Sequence, residues 1–453
     1  MIIKNIFKFL FIVLEVSGFF INNNFIKRFQ INSNNKNIDI TNNIIYNLSY
    51  NERKIINKID GFYGLVGPEI KNSTKIITLY DLFTGNGVIN GVFFNKGNIT
   101  FIKRFIRTDK FIHEEIINTL DIKNFFMNFY KINILFPNMI GTANTALILI
   151  NKKLYSLFER DQPYLLDIDF LNKDIKTIKK IYIPNLLHFS GHSKFKNNII
   201  ETIDYKILEN KVTYHQLDIN FQSILKKDFK MKYFPIVHDF ISTNNSVIIF
   251  DSPLKIDFID TKKVILDITK PTFIYVMNKN NLKIDEYYLN NSLYVFHFAD
   301  FYEDEHIIEI YASLYDNLDF TSLNIKGRYR KILIDKKTKL VSIEKNIELE
   351  NLNLEFPVKY KNKIIFKNLE NGIINSFIIC DKLRIFKKII IPNKKISGEP
   401  SIKYIDRIPY LICFCYDLKC GYIVIINLNN NKIIEIPIYT KVNVGFHSIF
   451  ISK

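Results

Sequence analysis

Histidine is the residue type whose placement in this chain could do chemistry. Of the eight histidines, four lie far apart, each inside a short apolar or strand-like context. They are His192 in Ser190-Gly191-His192-Ser193-Lys194, His238 in Pro235-Ile236-Val237-His238-Asp239-Phe240, His297 in Val295-Phe296-His297-Phe298-Ala299, and His447 in Gly445-Phe446-His447-Ser448. Imidazole is the commonest neutral metal ligand. Four of them around one iron would leave the full positive charge of the ion available to bind and polarise oxygen. A lone histidine in a strand is more often a hydrogen-bonded core residue, so these positions become a metal site only if the fold brings them to one point.

The other candidate groups carry weaker signals. His113-Glu114-Glu115 has Ile117 where a zinc-protease helix would need a second histidine, and His215 and His306 have polar neighbours that read as exposed. The four cysteines, Cys380, Cys413, Cys415 and Cys420, come late in the chain. Their spacing suits neither a zinc site nor a dense disulfide scaffold, and alternation puts Cys413 and Cys415 on one face of a strand, as small buried residues.

At 453 residues and 47% hydrophobic content the chain can bury a large core. Its formal charge of +17 raises nucleic acid as a partner, but the lysines are dispersed. Most stand singly in turns such as Asn95-Lys96, Asn151-Lys152 and Asn278-Lys279, which argues against nucleic acid and for attraction to an anionic membrane surface. Lys4 and Lys8 accompany the apolar run Phe9 to Leu14, and Val16-Ser17-Gly18 offers small residues for cleavage, with Glu15 interrupting. Residues 1–20 therefore read as a signal-peptide-like segment. Residues 21–58, rich in Asn and basic residues, read as a transit or linker segment, and together they suggest passage through the secretory pathway to a plastid-like organelle.

From residue 59 to 453 short apolar or alternating runs are broken by turns. Hairpins are expected at Val88–Phe94 with Ile99–Phe105, Thr145–Ile150 with Leu154–Phe158, Phe273–Met277 with Leu282–Tyr288, and Tyr422–Ile426 with Lys432–Ile438. So many hairpins must hide their edges, and radial repetition of four-stranded sheets does so. Seven blades would take roughly 56 residues each, and no repeat signature marks them. The expected fold is an all-β, seven-bladed β-propeller with a helical and loop cap over an axial site. It would also explain the histidines, because innermost strands of different blades face one axis.

The chain resembles the carotenoid cleavage oxygenases, the family of carotenoid and apocarotenoid dioxygenases and of the retinoid isomerohydrolase. The resemblance rests on Gly61-Phe62-Tyr63 with Gly67-Pro68, on Leu82-Phe83-Thr84-Gly85-Asn86-Gly87-Val88, on Arg104-Phe105-Ile106-Arg107-Thr108, and most specifically on Gly141-Thr142-Ala143-Asn144-Thr145-Ala146-Leu147 leading to Leu154-Tyr155-Ser156-Leu157-Phe158-Glu159. Thr84, Asn86 and Ser193 depart from the family pattern, and none of them is a ligand. The resemblance implies an axial Fe2+ held by His192, His238, His297 and His447, with Glu159, Glu355 and Glu399 behind His238, His297 and His447 respectively. It leaves His188, four residues before His192, as a spare.

The activity implied is that of a dioxygenase, an oxidoreductase cleaving a conjugated carbon–carbon double bond of a carotenoid or apocarotenoid with O2 to give carbonyl products, without haem or flavin. A non-oxidative isomerohydrolase and a non-catalytic propeller binding apolar ligands are the alternatives. Phe125, Phe126, Phe129 and Tyr130 fall on one helical face, with Lys123 and Lys131 within reach of headgroups. A core-facing helix explains that stripe as well. The resemblance adds a patch through which the protein would contact a membrane peripherally to extract an apolar substrate.

Overall fold

Short alternating runs pair wherever a turn residue tolerates a positive φ. Asn151 and Lys152 both adopt one, at 46° and 63°, which matches a two-residue turn to the right-handed twist of its flanking strands. All four expected hairpins are present: Asn86–Asn95 with Asn98–Phe105, Ala146–Ile150 with Lys153–Leu157, Thr272–Asn278 with Ile284–Leu289, and Gly421–Asn427 with Ile433–Pro437. The structure is a computed structural model that describes residues 39–69, 78–112, 141–256, 264–370 and 373–453.

Among the described residues the strands form seven antiparallel sheets of four or five strands and one extra two-stranded ribbon. In chain order these sheets are the blades of a propeller. Blade 1 holds Ile40–Asn43, Gly61–Glu69, Asn86–Asn95 and Asn98–Phe105, and the last strand of the chain, Ser448–Ser452, joins it. Blades 2 to 7 span 146–180, 194–230, 241–289, 294–344, 354–390 and 395–437. The first strands of neighbouring blades touch in sequence, Tyr294–Glu303 with Leu354–Tyr360, that with Lys395–Ile405, and that with Ser448–Ser452. Ser448–Ser452 pairs antiparallel with Gly61–Glu69, Leu65 opposite Ser448 and Gly61 opposite Ser452. The end of the chain thus closes the ring and leaves fewer unpaired strand edges.

Blades are held to one another mainly by apolar faces, with a few backbone bonds such as that from the N–H of Glu399 to the carbonyl of Phe446 at 2.8 Å. Phe414 of blade 7 is fully buried, its ring 5.1 Å from that of Tyr63 and 6.1 Å from that of Phe101, both of blade 1. Burying a side chain of this kind contributes on the order of 1.5 to 3 kcal/mol. Cys413 and Cys415 do share a buried face, their sulfurs 3.8 Å apart, and Cys380 is also buried, while Cys420 is half-buried.

The propeller starts earlier than residue 59. Ile40–Asn43, inside the stretch read as a linker, pairs with Asn98–Phe105 as an outer strand of blade 1, and the helix Tyr50–Ile56 follows it, its start capped by Ser49 and Glu52. An Asn-rich strand of four residues has too little alternation to be read from sequence, and pairing with a preformed blade supplies the missing stability. The signal-peptide-like segment 1–20, residues 21–38 and the stripe Phe125, Phe126, Phe129 and Tyr130 lie outside the described residues. Among the described residues no helix is long and apolar enough to cross a membrane.

A cap sits beside the axis. The short helix Leu79–Phe83 and the ribbon Leu254–Ile256 with Val264–Leu266 meet the loop 318–320 through backbone bonds from Leu79 to Phe320, Phe320 to Val264 and Leu266 to Leu318. The side-chain amide of Asn144 ties the Gly141–Leu147 motif to the glycine turn, donating to the carbonyls of Phe83 (3.0 Å) and Gly85 (2.8 Å). The departures from the family pattern are accommodated locally. Thr84 donates to the carbonyl of Tyr80 at the helix end, Asn86 accepts from Lys110 at 2.6 Å, and Ser193 closes its turn by donating to the carbonyl of Ser190 at 2.8 Å, with the Thr202 hydroxyl hydrogen-bonded to its oxygen at 2.8 Å.

Candidate metal centre

The four histidines sit at the inner ends of blades 3, 4, 5 and 1. His192 precedes Lys194–Lys196 in a turn where Ser190 Oγ accepts its backbone N–H at 3.0 Å. His238 precedes the two-residue strand Ile241–Ser242, and His297 lies within Tyr294–Glu303. His447 immediately precedes the closing strand, its carbonyl accepting from the N–H of Val66 at 3.1 Å.

Three of the inner strands are irregular where they meet the site. The pairing of Tyr294–Glu303 shifts around His297, that of Leu354–Tyr360 shifts between Glu355 and Val358, and that of Lys395–Ile405 shifts between Ser397 and Ser401. A bulge re-aims a side chain that regular pleating would send elsewhere. Gly398, beside Glu399, takes φ +70°, which glycine does without strain. Phe356, beside Glu355, takes φ +56°, a conformation costly for a bulky residue and held here by the packing around it.

The result is convergence. His192 Nε2 lies 3.0 Å from His238 Nε2, His238 Nε2 lies 3.3 Å from His297 Nε2, and His297 Nε2 lies 3.1 Å from His447 Nε2. One ligand atom from each lies within 4.8 Å of all the others. Behind them, Glu159 meets His238 Nδ1, Glu355 accepts from His297 Nδ1 at 2.6 Å, and Glu399 lies 3.4 Å from His447 Nδ1. A carboxylate on Nδ1 places the N–H there and leaves the Nε2 lone pair facing the axis. Lone pairs crowded this closely repel one another unless a cation lies between them. At a metal–nitrogen distance of roughly 2.1 Å, two nitrogens at a right angle stand about 3 Å apart, so the spacing fits a divalent transition metal.

The electrostatics favour the neutral form at two of the four imidazoles, His192 and His447. Burial holds His192 well below its ordinary pKa, and the other three imidazoles add to the shift. Burial also lowers His447, partly offset by Glu399. For His238 burial opposes the charged form, but Glu159 outweighs it and the pKa rises. Burial would raise Glu355, yet the His297 contact, the hydroxyl of Tyr315 and the N–H of Phe356 more than reverse this and keep it ionised.

Sequence reasoning missed the groups that fix the glutamates and the loops. Tyr315 donates to Glu355 Oε1 at 2.6 Å, Tyr205 donates to Glu159 Oε2 at 3.2 Å, and the N–H of Ser448 donates to Glu399 Oε2 at 3.1 Å. Asp239 is buried and accepts from Lys194 Nζ (2.7 Å) and from the N–H groups of Phe240 (2.8 Å) and Phe298 (3.3 Å). One carboxylate thus ties together the segments that carry His192, His238 and His297. Its position next to His238 was the only sequence signal. His188 stays out of the site, buried against Asp204 at 2.8 Å. His306 is exposed as expected, whereas His215 is buried, because it shares a face of the strand Lys211–Leu217 with Leu217, which packs against Tyr155 and Leu157 of blade 2.

The site opens into an apolar cavity of about 280 Å³. Phe83, Phe158, Tyr294, Phe296, Phe320 and Phe446 contribute aromatic walls, and His238, His297, His447, Glu159 and Glu355 stand at its polar end.

Comparisons with known proteins point one way. The family model described as retinal pigment epithelial membrane protein matches residues 55–369, a span that includes three of the four histidines, with His447 beyond it. Carotenoid 9,10(9',10')-cleavage dioxygenase 1 of Pisum sativum is 30% identical over 294 residues, 57% of this chain and 52% of that protein. The Crocus sativus carotenoid 9,10(9',10')-cleavage dioxygenase is 27% identical over 326 residues, 64% of this chain and 57% of that protein. The chain thus spans about half the length of the curated relatives it matches. Among solved structures, cobalt-substituted Synechocystis apocarotenoid oxygenase superposes with a TM-score of 0.70 at 16% identity, covering 92% of this chain and 97% of that one. A chimera of apocarotenoid oxygenase with the retinal pigment epithelial protein gives 0.72 at 17% identity, covering 92% and 96%. At these identities the likeness concerns the fold.

Proposed function

Since the chain belongs to the retinal pigment epithelial membrane protein family, that of the carotenoid cleavage oxygenases, we propose that it is a non-haem iron(II) dioxygenase that cleaves a conjugated double bond of a carotenoid or apocarotenoid with O2. The observation that carries this reading is the convergence of four imidazole nitrogens, with three of the four histidines lining an apolar, aromatic-walled cavity. His192, His238, His297 and His447 would hold the ion. When bound, iron supplies redox and Lewis-acid chemistry toward oxygen, and four neutral ligands leave its charge uncancelled.

The chain's own residues do the rest. Glu159, Glu355 and Glu399 hold a proton on Nδ1 of their histidines, which keeps Nε2 free as a donor atom. Tyr205, Tyr315 and the backbone of Ser448 hold those carboxylates in turn, so each ring has a fixed direction. Phe83, Phe296, Phe320 and Phe446 exclude water and offer flat faces to an elongated polyene, whose position along the cavity decides which bond lies at the polar end. The test is product analysis: protein loaded with Fe2+ is given a panel of carotenoids and apocarotenoids under labelled dioxygen. Two carbonyl fragments carrying label are expected. A single unlabelled, isomerised or hydrolysed product would show the isomerohydrolase reaction instead, and bound polyene recovered intact from iron-loaded protein would show a binding propeller.

A further inference from the structure

The cavity wall contains one cation that nothing in the described structure explains. Lys367 stands on the second strand of blade 6, Lys363–Glu370, and is only 6% exposed. The other strongly buried cations have oxygen partners: Lys110 has Asn86 at 2.6 Å, Arg160 has the carbonyl of Tyr205 at 3.1 Å, and Arg330 has Asp316 at 2.7 Å and Glu350 at 2.6 Å. Among the described residues Lys367 forms no ion pair and no hydrogen bond. Its ammonium lies 3.7 Å from the centre of the Phe356 ring. That ring in turn lies 5.2 Å from His297 and 5.3 Å from His447, centre to centre. A ring face repays only part of the cost of taking an ammonium out of water, so a partner is missing.

We infer that Lys367 determines specificity by binding an oxygen function, a carbonyl or a carboxylate, on the polyene in the cavity, so that the preferred substrate is an oxygenated apocarotenoid rather than a hydrocarbon carotenoid. The inference rests on the proposed reading of the cavity as a polyene site. An oxygen acceptor supplies the hydrogen bonds the ammonium lacks, and a carboxylate supplies the counter-charge as well. Burial pushes Lys367 down to about 8 against the attraction of Glu399 and Glu355, so at neutral pH it remains mostly a cation able to donate. Because the Phe356 ring lies against both Lys367 and two of the histidines, holding the oxygen-bearing end there sets how far the chain extends past the metal centre. The bond presented would be near that end.

The test is equilibrium binding, with the full chain free of metal, of a polyene aldehyde, a polyene carboxylate and a hydrocarbon polyene of equal length. Binding is read by quenching of tyrosine emission, since the chain has 25 Tyr and no Trp. Wild type should bind both oxygenated ligands on the order of 10-fold or more tightly than the hydrocarbon. Lys367→Met should bind all three alike, with the hydrocarbon affinity kept and the melting temperature no lower than wild type. Retained preference in Lys367→Met, or no preference in wild type that binds all three, would overturn the inference while leaving the polyene reading intact. Loss of metal affinity in Lys367→Met with selectivity unchanged would also overturn it, assigning the ammonium to charge balance with Glu355 and Glu399. If wild type bound none of the polyenes, the inference would fall together with the functional reading.

Discussion

Replacing Glu355 by Gln tests whether the carboxylates act through the histidines. Glu355 Oε2 accepts from His297 Nδ1 at 2.6 Å and from the N–H of Phe356 at 2.9 Å, while Oε1 accepts from Tyr315 at 2.6 Å. A Gln side chain fills the same space. Its amide oxygen can serve the first two donors, and its amide nitrogen can donate to a rotated Tyr315 hydroxyl, whose own proton then loses this acceptor. What is lost is charge: a hydrogen bond to a charged acceptor contributes about 1.5 to 3 kcal/mol and a neutral one about 0.5 to 1.5. The difference, roughly 1 to 2 kcal/mol, corresponds to metal binding weakened about 5- to 30-fold, which overlaps the lower part of the range of about 10- to 100-fold typical of such outer groups. Glu399 gives an internal control. Its carboxylate stands 3.4 Å from His447 Nδ1, a much weaker contact, so Glu399→Gln should cost less than Glu355→Gln. The assay is titration of chelator-stripped protein with Co2+ or Fe2+ against a competing chelator, with circular dichroism and melting to show that the fold is kept. Wild-type affinity in Glu355→Gln, or a larger loss in Glu399→Gln, would refute the argument that tight carboxylate contacts set ligand strength.

Three further outcomes are expected. His238→Ala should abolish metal binding and turnover while circular dichroism stays strand-rich, because the blades are held by apolar faces; full metal content in that variant would remove the site assignment. Asp251→Asn should stabilise the protein at pH 7.5 by roughly 2 to 3 kcal/mol and have little effect near pH 3.5. Burial raises the Asp251 carboxyl from its ordinary 3.8 to about 6, so the folded state gains by holding its proton, a gain complete below 3.8 and lost as pH rises through about 6. Denaturant melts at the two pH values check it, and equal shifts at both would contradict the sign. On sequence grounds, Ser in place of Phe125 and Phe126 should release the protein from anionic liposomes and reduce turnover of membrane-dissolved polyene more than of detergent-dispersed polyene, since each buried aromatic contributes on the order of 1.5 to 3 kcal/mol. Equal loss in both formats with a lower melting temperature would place those residues in a core.

The sequence determined by itself what depends on neighbours along the chain. Alternation and turn chemistry predict the hairpins around Asn95-Lys96-Gly97 and Asn151-Lys152, and hairpins in that number call for radial closure. The contexts of the four histidines, read with the family motifs, single them out from His188, His215 and His306. Tertiary structure decided everything that depends on pairing across blades. Ile40–Asn43 becomes a strand only because Asn98–Phe105 offers an edge, and His215 is buried because its face of blade 3 packs toward blade 2. The bulges at His297, Glu355 and Gly398 arise from a mismatch in residue count between two paired strands, which neither strand's sequence contains alone. The strained backbone of Phe356, the tie that Asp239 makes among three histidine-bearing segments and the ammonium of Lys367, unpaired among the described residues, are of the same kind. Each is a relation between residues on different strands and loops, and only the pairing and packing of those segments set the distance between them.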